Sequence, residues 1–472
     1  MHGWSDDTER LARSVFEYAR YRLRLDPVPL DGPRSPEDLQ AAAGQTVTAG
    51  GLGGEEALRI FTEVLAPACI SIDHPRYLSF IPCAPTEAAT IFDLIVGASS
   101  IYGGSWLEGA GAVFAENQAL RWLADLAGLP PGAGGVFVQG GTIANLSALV
   151  AARHGARERG REGDGDHSAE SELEEDRAAR PVGRRWAIAT STEAHSSVKT
   201  AAGVMDVRRL VVETDANGRF TGEGLEAALA ENDRQADPLS VFAVVATAGT
   251  TNLGIIDDLS SIAEVTRARG IWLHVDAAYG GAGLAAPSVR GRYAGIEWAD
   301  SFVVDPHKWL FAPFDCAALL YRRPALAREA HIQRAGYLDP LEATGEWNPS
   351  DYAVQLTRRA RGLPFWFSLA TYGTSSYTAA VERTLETARH AAHLVRARSY
   401  LSLTREPELS VVCFTRDGWA QEDYYTWSDR LWQSGTAFVT PTTVAGVTTA
   451  RLAIVNPRTS EADIELILDS MS

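Results

Sequence analysis

The segment WLHVDAAYGG, residues 272 to 281, starts as a mostly apolar run and ends in small residues. Short apolar runs of this kind are typical of buried strands in a parallel sheet. Asp276 follows the run and precedes Ala277 and Ala278. Because open α/β sheets bind ligands beyond the carboxyl ends of their strands, Asp276 is a candidate site residue. The segment alone leaves three roles open for this carboxylate: metal ligand, base or helix cap.

Other short apolar runs lie on both sides of this segment and alternate with helical patterns. They are VFVQ, WAIATS, RRLVVE, FAVVATAGT and SFVVDPHKW. Strands that alternate with helices predict an α/β fold in which a mostly parallel sheet is covered on both faces. We assign this pattern to a large domain over residues 88–370.

The two ends of the chain have different patterns. Residues 7–25 carry apolar side chains at helical spacing with acids near the start, which predicts an amphipathic helix. We therefore expect residues 1–87 to form an N-terminal helical arm. Residues 371–472 mix strand runs such as LSVVCFTR with helical segments, and they predict a smaller C-terminal α+β domain.

An acidic segment interrupts the large domain at residues 154–185. It is rich in glycine and charge, with eight acids and no Lys or Arg between Glu162 and Asp176. Apolar periodicity is missing from it, so the sequence predicts a flexible surface insertion.

Composition narrows the class of ligand. The net charge of −17 disfavours nucleic acid or an anionic membrane as partner, because both attract clustered Lys and Arg. The four cysteines are widely spaced without a CxxC pair, which predicts neither a disulfide framework nor a metal site. The sequence shows neither a signal-peptide pattern nor a run of 18 apolar residues. We expect a cytoplasmic protein with a small-molecule ligand.

Lysine is rare in this chain, which has only Lys199 and Lys308. A GC-rich genome would explain the preference for Arg without any selection. Arg stays protonated near neutral pH, however, whereas a buried Lys can lose its proton and act as a nucleophile. Lys308 follows His307 and the apolar run SFVV, so it is expected at the same sheet edge as Asp276, and we interpret Lys199 as a surface residue.

A glycine-rich turn lies in FVQGGTIANLSALVAAR, residues 137 to 153. Gly140 and Gly141 join a strand-like run to a helix, and the free N–H groups of such a turn suit a phosphate. A tight turn without a ligand explains the pattern equally well. Together with the carboxylate and the lysine, a phosphate turn would complete the parts of a pyridoxal phosphate site.

Five segments occur in an order and spacing that resemble a known family. They are TSTEAHSSVKTAA, VVATAGTTNLGIIDDL, LHVDAAYGG, DPHKWLFAPFDC and RAGYLDP. The chain resembles the group II pyridoxal phosphate decarboxylases over roughly residues 65–460, with the greatest likeness to the aromatic amino acid branch. The resemblance implies a fold type I enzyme with a seven-stranded sheet, a homodimer, and conversion of an aromatic or bulky L-amino acid to the amine and CO₂.

The resemblance also implies roles for individual residues around the cofactor ring. Lys308 resembles the lysine that forms the Schiff base, and Asp276 resembles the partner of the ring nitrogen. Ala278 and His195 are similar to the residues that contact opposite faces of the ring. Thr247 matches the residue near the ring's 3′-oxygen.

Further matches concern the phosphate and the proton. Gly141 and Thr142 match the family's phosphate turn, and His307 would lie beside it. Tyr337 resembles the mobile-loop tyrosine that the neighbouring subunit contributes. We expect Tyr337 to return a proton to Cα after CO₂ leaves, with His195 in support.

The substrate pocket is expected to involve HPRYLSFIP, residues 74 to 82, and the SW pair of GGSWLEGAG. Tyr77, Phe80, Pro82 and Trp106 would suit an aromatic or bulky apolar side chain. The alternative, which we weight nearly equally, is that these residues pack the core.

Three residues depart from the family pattern. Ile143 replaces a Glu after the phosphate turn, and Asp305 replaces an Asn before PHK. A carboxylate beside a phosphate is repulsive, so we expect Asp305 to point away from the turn or to pair with an Arg. Glu108 adds an acid that would suit a polar or cationic substituent.

Other functions remain open at this point. Some relatives decarboxylate and then deaminate oxidatively with O₂, an outcome associated with Phe at the loop tyrosine or Asn at the stacking histidine. Tyr337 and His195 both match the simple decarboxylase. A cofactor-binding protein without activity fits the full residue set poorly, and aminotransferase and desulfurase activities are weaker alternatives.

Overall fold

The computed structural model describes residues 2–164, 185–333, 336, 338–342 and 345–472. Two predictions fall wholly or mainly outside these ranges. They are the proton donor at Tyr337 and most of the insertion predicted at residues 154–185.

The larger sheet contains seven strands in the order β1-β7-β6-β5-β4-β2-β3. Strands β2 to β6 pair in parallel, whereas β7 runs antiparallel to both of its neighbours. The predicted mostly parallel seven-stranded sheet is therefore confirmed. Its strands are β1 (Gly134–Val138), β2 (Trp186–Ser191), β3 (Arg208–Val212), β4 (Ser240–Thr247), β5 (Trp272–Asp276), β6 (Ser301–Val304) and β7 (Ala317–Tyr321).

Buried side chains cover both faces of this sheet. Phe302 and Val304 belong to one apolar cluster, and Val303 between them belongs to another. Successive side chains of a strand point to opposite faces, so the two clusters are the two sides of the sheet. This burial explains why the strand sequences are almost wholly apolar.

The α-helices surround the two sheets and form the N-terminal part of the chain. They are Asp6–Leu23, Pro36–Ala43, Gly54–Ile60, Glu87–Ala98, Trp106–Leu126, Gly141–Asp164, Ser196–Val204, Gly222–Asp233, Leu259–Arg269, Pro287–Arg290, Pro306–Trp309, Pro324–His331, Asp339–Glu342, Leu363–Tyr372, Thr374–Ala397, Gln421–Gln433 and Glu461–Asp469. Within the ranges described above, none of the helices is long and apolar enough to cross a bilayer.

A second sheet of four antiparallel strands lies near the C-terminus, in the order β10-β11-β9-β8. Its strands are β8 (Leu401–Leu403), β9 (Val411–Arg416), β10 (Thr442–Val444) and β11 (Val447–Ala453). Its core contains Val412, Phe414 and Leu452 together with residues of three long helices, and Leu78 from the N-terminal region belongs to the same cluster. Strands and helices thus combine as α+β here.

The first helix, Asp6–Leu23, begins one residue before the predicted start at residue 7. Ser5 caps it, because its hydroxyl accepts a hydrogen bond from the Thr8 backbone N–H. None of its residues is buried within the chain, and Val15, Phe16 and Tyr21 expose apolar surface. The arm therefore has apolar surface available for a further contact.

Candidate active site

Parallel pairing brings two predicted site residues to the same edge of the large sheet. Thr247 and Asp276 are the last residues of β4 and β5, and they are register partners. Asp276 is in turn paired with Val303 of β6, which leads directly into the segment with Lys308. The carboxyl ends of β4, β5 and β6 therefore form one site, as open α/β sheets generally do.

Lys308 lies in the short helix Pro306–Trp309 that follows β6. Its Nζ atom lies 2.9 Å from Oδ2 of Asp305, and a quarter of its side chain is exposed. Burial lowers the pKa of Lys308, but the nearby Asp305 and Asp276 carboxylates outweigh burial and hold the pKa above its ordinary value. Lys199, in contrast, is exposed as predicted.

The glycine turn adjoins this lysine. Gly141 begins the helix Gly141–Asp164 directly after β1. A methyl group built on Gly141 would lie 3.1 Å from Oδ2 of Asp305 and 3.3 Å from Cβ of Ala278. Thr142, the next residue, is exposed in the first helical turn. The N-terminus of a long helix thus lies beside the carboxylate that bonds to Lys308, where the small residues Gly141 and Ala278 meet, and such a helix start suits a phosphate.

The position of Asp305 corrects one expectation. Asp305 neither points away from the phosphate turn nor pairs with an Arg. It is buried against Gly141, and its carboxylate bonds to Lys308 instead. The physical reason is that the lysine, two positions beyond the intervening proline, supplies the positive charge that this buried carboxylate needs.

Asp276 is buried and held by two donors. Its Oδ2 atom accepts a hydrogen bond of 2.8 Å from Nδ2 of Asn145, and its Oδ1 atom accepts one of 3.1 Å from the backbone N–H of Ala278. These bonds fix both oxygens and leave lone pairs for a cationic donor. Ala278 itself is half-buried beside the phosphate turn.

Two histidines lie on different elements of the site. His195 is exposed and caps the helix Ser196–Val204, with its Nδ1 atom 2.8 Å from Oγ of Ser197. His307 is buried, and its Nδ1 atom lies 2.7 Å from the carbonyl oxygen of Cys316. Burial lowers the pKa of His307, although the Asp305 carboxylate opposes this effect. His307 is therefore neutral at neutral pH.

Several buried polar atoms at the strand ends lack a hydrogen-bond partner among the described residues. They are Oγ1 of Thr190, Oγ of Ser191, Oγ1 of Thr247 and Oδ1 of Asp305. Orphaned buried polar atoms are costly, and their concentration at one sheet edge indicates a polar ligand. With a lysine, a buried carboxylate and a helix N-terminus beside them, these residues fit pyridoxal phosphate.

The four predicted substrate residues have different environments. Tyr77 is buried with its ring 5.0 Å from that of Phe438, and Pro82 is also buried. Trp106 is half-buried, and its backbone N–H donates to Oδ1 of Asn348. Phe80, in contrast, is 62% exposed with a φ angle of 52°. Of the four residues, Phe80 is the most exposed and therefore the one least explained by packing in the core.

Sequence reasoning missed three polar residues behind the site, namely Asn145, Ser197 and His274. Asn145 contacts Asp276 and Ser197, and His274 contacts Asn145 through Nε2 at a distance of 2.8 Å. A histidine inside the apolar run WLHVD and an asparagine in the first turns of the helix were signals that could have pointed to them.

Comparisons with known proteins agree with this geometry. The fold and the cofactor residues define a fold type I pyridoxal phosphate enzyme. Residues 45–416 match the pyridoxal-dependent decarboxylase conserved domain, so the chain belongs to the pyridoxal-dependent decarboxylase family. It is a pyridoxal phosphate-dependent amino acid decarboxylase.

Individual relatives differ in substrate. The chain is 33% identical over 412 residues to the L-2,4-diaminobutyrate decarboxylase of Rhizobium meliloti (strain 1021), covering 85% of this chain and 78% of the relative. It is 30% identical over 385 residues to the aromatic-L-amino-acid decarboxylase of Mus musculus, covering 77% and 75%. The crystal structure of Oryza sativa TDC with PLP and tryptamine superposes with a TM-score of 0.88 at 23% identity, covering 100% and 99%, which shows the shared fold.

Proposed function

We propose that the chain decarboxylates an L-amino acid with an aromatic or otherwise bulky side chain, releasing the amine and CO₂. The exposed aromatic ring of Phe80 carries this assignment. Positive φ angles are unusual for a bulky residue, and such strained positions concentrate at functional sites. A ring held in this conformation and left open to solvent is suited to contact an apolar substrate group.

The backbone around Phe80 is fixed relative to the strand ends by Arg451. Nη1 of this buried arginine donates a hydrogen bond of 2.8 Å to the Phe80 carbonyl oxygen. Its Nη2 atom donates to the carbonyl oxygen of Thr251 at 2.6 Å, in the loop that follows Thr247. One guanidinium thus joins the aromatic segment to the loop beside the cofactor residues, which supports a substrate role for Phe80.

Each cofactor residue has a proposed task. Lys308 would hold the cofactor covalently through its amine. Asp276 would pair with the ring nitrogen, Ala278 and His195 would contact the ring, and Thr247 would lie beside it. Gly141, Thr142 and His307 would hold the phosphate.

When bound, pyridoxal phosphate accepts the electron pair that remains after the α-carboxyl group leaves as CO₂. The negative charge of Asp276 stabilises the protonated ring nitrogen that this chemistry needs. Tyr337, outside the described residues, is the proposed proton donor to Cα, with His195 in support.

A homodimer in the cytoplasm is part of the proposal, with the Tyr337 loop completing the partner's site. Exposed apolar side chains on three N-terminal helices support the dimer, because monomers rarely expose such a surface. They are Val15, Phe16, Tyr21, Ile91, Leu94, Ile95, Leu107 and Phe114.

A diamino acid is the second candidate substrate. The similarity to the L-2,4-diaminobutyrate decarboxylase favours it. Glu108, which would have to receive the second amine, is exposed but accepts a hydrogen bond of 2.8 Å from the hydroxyl of Ser105 at the start of its helix. The Ser105 hydroxyl also accepts a hydrogen bond from the Glu108 backbone N–H and so caps the helix, which favours a structural role for Glu108.

A substrate panel tests the proposal. Purified enzyme would be given tyrosine, phenylalanine, tryptophan, histidine and 2,4-diaminobutyrate, and CO₂, amine, aldehyde and peroxide would be measured together. Amine from an aromatic substrate without peroxide supports the assignment. A preference for 2,4-diaminobutyrate would show that the substrate is a diamino acid and not an aromatic one. Stoichiometric aldehyde with peroxide would show that the reaction is oxidative and not a simple decarboxylation.

A further inference from the structure

A continuous chain of hydrogen bonds lies behind the site and joins residues of β5, β6 and two helices. Nε1 of Trp272 donates to Oγ of Ser301 at 2.8 Å, and the same oxygen lies 2.8 Å from Nδ1 of His274. Nε2 of His274 lies 2.8 Å from Oδ1 of Asn145. Nδ2 of Asn145 lies 2.8 Å from Oδ2 of Asp276 and 2.9 Å from Oγ of Ser197, which reaches Nδ1 of His195 at 2.8 Å.

The Trp272 end of the chain is compatible with one direction of donation. An indole N–H can only donate, so the Ser301 oxygen accepts and has its own hydrogen to give to His274. Burial lowers the pKa of His274 to about 4, although Asp276 opposes this, so the ring is neutral. When Ser301 donates to Nδ1, the hydrogen of this ring is on Nε2, the atom that faces Asn145.

The Asp276 end determines this direction. A carboxylate only accepts hydrogen bonds, so Asn145 must present its NH₂ group to Asp276 and its oxygen to His274. A flipped amide would place two oxygens 2.8 Å apart and leave the His274 hydrogen without an acceptor. The Asp276 end therefore requires one orientation of the Asn145 amide, and the bonds at the Trp272 end agree with it.

The chain ends at His195 with one tautomer. The second amide hydrogen of Asn145 goes to Oγ of Ser197, which passes its own hydrogen to Nδ1 of His195. The backbone N–H of Ser197 also donates to this nitrogen, at 3.2 Å. With two donors directed at Nδ1, the hydrogen of neutral His195 is on Nε2 and is available to the site.

We infer that Asn145 is a positioning residue that couples the two sides of the cofactor site. One of its amide hydrogens holds the carboxylate of Asp276, and the other, through Ser197, sets the tautomer of His195. His274 acts behind Asn145 by fixing the orientation of its amide. This inference rests on the proposed cofactor roles of Asp276 and His195.

Two substitutions of Asn145 test the coupling. Asn145→Asp keeps the shape and the acceptor for His274 but removes both donors, whereas Asn145→Ala removes donors and acceptor together. We expect both variants to bind pyridoxal phosphate about tenfold or more weakly, the usual effect of losing a hydrogen bond to a charged group. The NMR shift of ¹⁵N-labelled cofactor ring nitrogen should also change. Wild-type affinity and shift in both variants would overturn the inference.

A control variant and a second measurement distinguish loss of the coupling from loss of folding. Ser147, buried in the same helix, bonds to the backbone N–H of Val354 instead, so Ser147→Ala should leave the cofactor signal unchanged. The wild-type holoenzyme gives a test without any core substitution: side-chain ¹⁵N spectra, assigned by loss of the signal in His195→Asn, should show an unprotonated Nδ1. A protonated Nδ1 at neutral pH would overturn the tautomer assignment.

The outcomes also separate this inference from the proposed function. One outcome is that the wild-type enzyme forms amine and the Asn145→Asp variant binds the cofactor with wild-type affinity. That outcome would overturn the coupling but not the proposed function. Absence of amine from every amino acid tested would overturn the function, whereas the cofactor affinities and the ¹⁵N spectra would still decide the coupling.

Discussion

Asp305 is shared between Lys308 and the phosphate turn: its Oδ2 atom lies 2.9 Å from Nζ of Lys308, and its carboxylate lies against Gly141. In the proposed site, the residue that pairs with the lysine would therefore also repel the phosphate. Under the proposed roles, cofactor binding would have to overcome both effects, because the amine would lose its proton and the phosphate would approach a carboxylate.

Asp305→Asn should ease cofactor binding. Removing this carboxylate removes a cause that raises the pKa of Lys308, so more of the amine is neutral at neutral pH. A fall of one pKa unit would give about ten times more neutral amine, and the uptake of pyridoxal phosphate should accelerate accordingly. Absorbance changes on adding cofactor to apoenzyme, followed across pH, measure this.

The control for this variant is Asp300→Asn, at the opposite end of β6, where the carboxylate pairs with Arg323. Its pH profile for cofactor uptake should match the wild type. If the Asp305→Asn profile also matched the wild type, Asp305 would not be a cause of the raised pKa of Lys308.

Borohydride reduction of the yellow holoenzyme should attach the cofactor to the peptide that contains Lys308, as mass spectrometry would show. Lys308→Arg should abolish turnover, because Arg stays protonated and cannot bind the cofactor covalently. Lys199→Arg is the matched control and should keep full activity, since Lys199 is exposed. Labelling of Lys199 would contradict the site.

Tyr337→Phe should divert product from amine toward aldehyde, ammonia and peroxide. Loss of a general acid typically slows a reaction by roughly a hundredfold to ten-thousandfold, which gives O₂ time to compete. Product analysis under air measures the ratio of aldehyde to amine. Amine formed at the wild-type rate would exclude Tyr337 as the proton donor.

Phe80→Ala should raise KM for an aromatic substrate by about threefold to tenfold, the usual worth of one aromatic contact. Tyr425→Ala removes another exposed ring, on the C-terminal helix Gln421–Gln433, and should leave KM unchanged. Steady-state kinetics on both variants check this. A KM for Phe80→Ala equal to that of the wild type would show that Phe80 does not contact the substrate.

Glu116→Gln should flatten the pH dependence of stability between about pH 4.5 and 7. Burial raises the pKa of Glu116 from 4.5 to about 7, although the Gly362 N–H, Arg358 and Arg361 oppose it. A raised carboxyl pKa stabilises the fold below the unfolded-state pKa, and this stability is lost as pH rises through the folded-state pKa. The wild-type Tm should therefore fall more with rising pH than that of the variant.

The control for this prediction is Glu386→Gln, an exposed position on the helix Thr374–Ala397. Its Tm should follow the wild-type curve at every pH. Parallel curves for Glu116→Gln and the wild type would show that Glu116 does not titrate differently in the folded chain.

Sequence patterns predicted the sheet because burial on both faces leaves apolar runs, as in β5 and β6. Asp276 was found because it ends such a run. The division of the chain at residues 87 and 370 stays a prediction, as do the roles of the site residues. The pairing of Asp305 with Lys308 and of Asn145 with Asp276 could not be predicted from the sequence, because these contacts depend on how strand ends and a helix start converge in space.

The three bonds of Arg451 have a consequence for engineering. This β11 residue donates to the carbonyl oxygens of Phe80, Thr251 and Asn252, so peptide segments far apart in sequence depend on one side chain. Lys at this position offers no planar fork to span all three. Consider a chimera that takes its C-terminal sheet from a relative without a matching arginine. We expect the aromatic segment around Phe80 to be misaligned in it, even where both sheets fold.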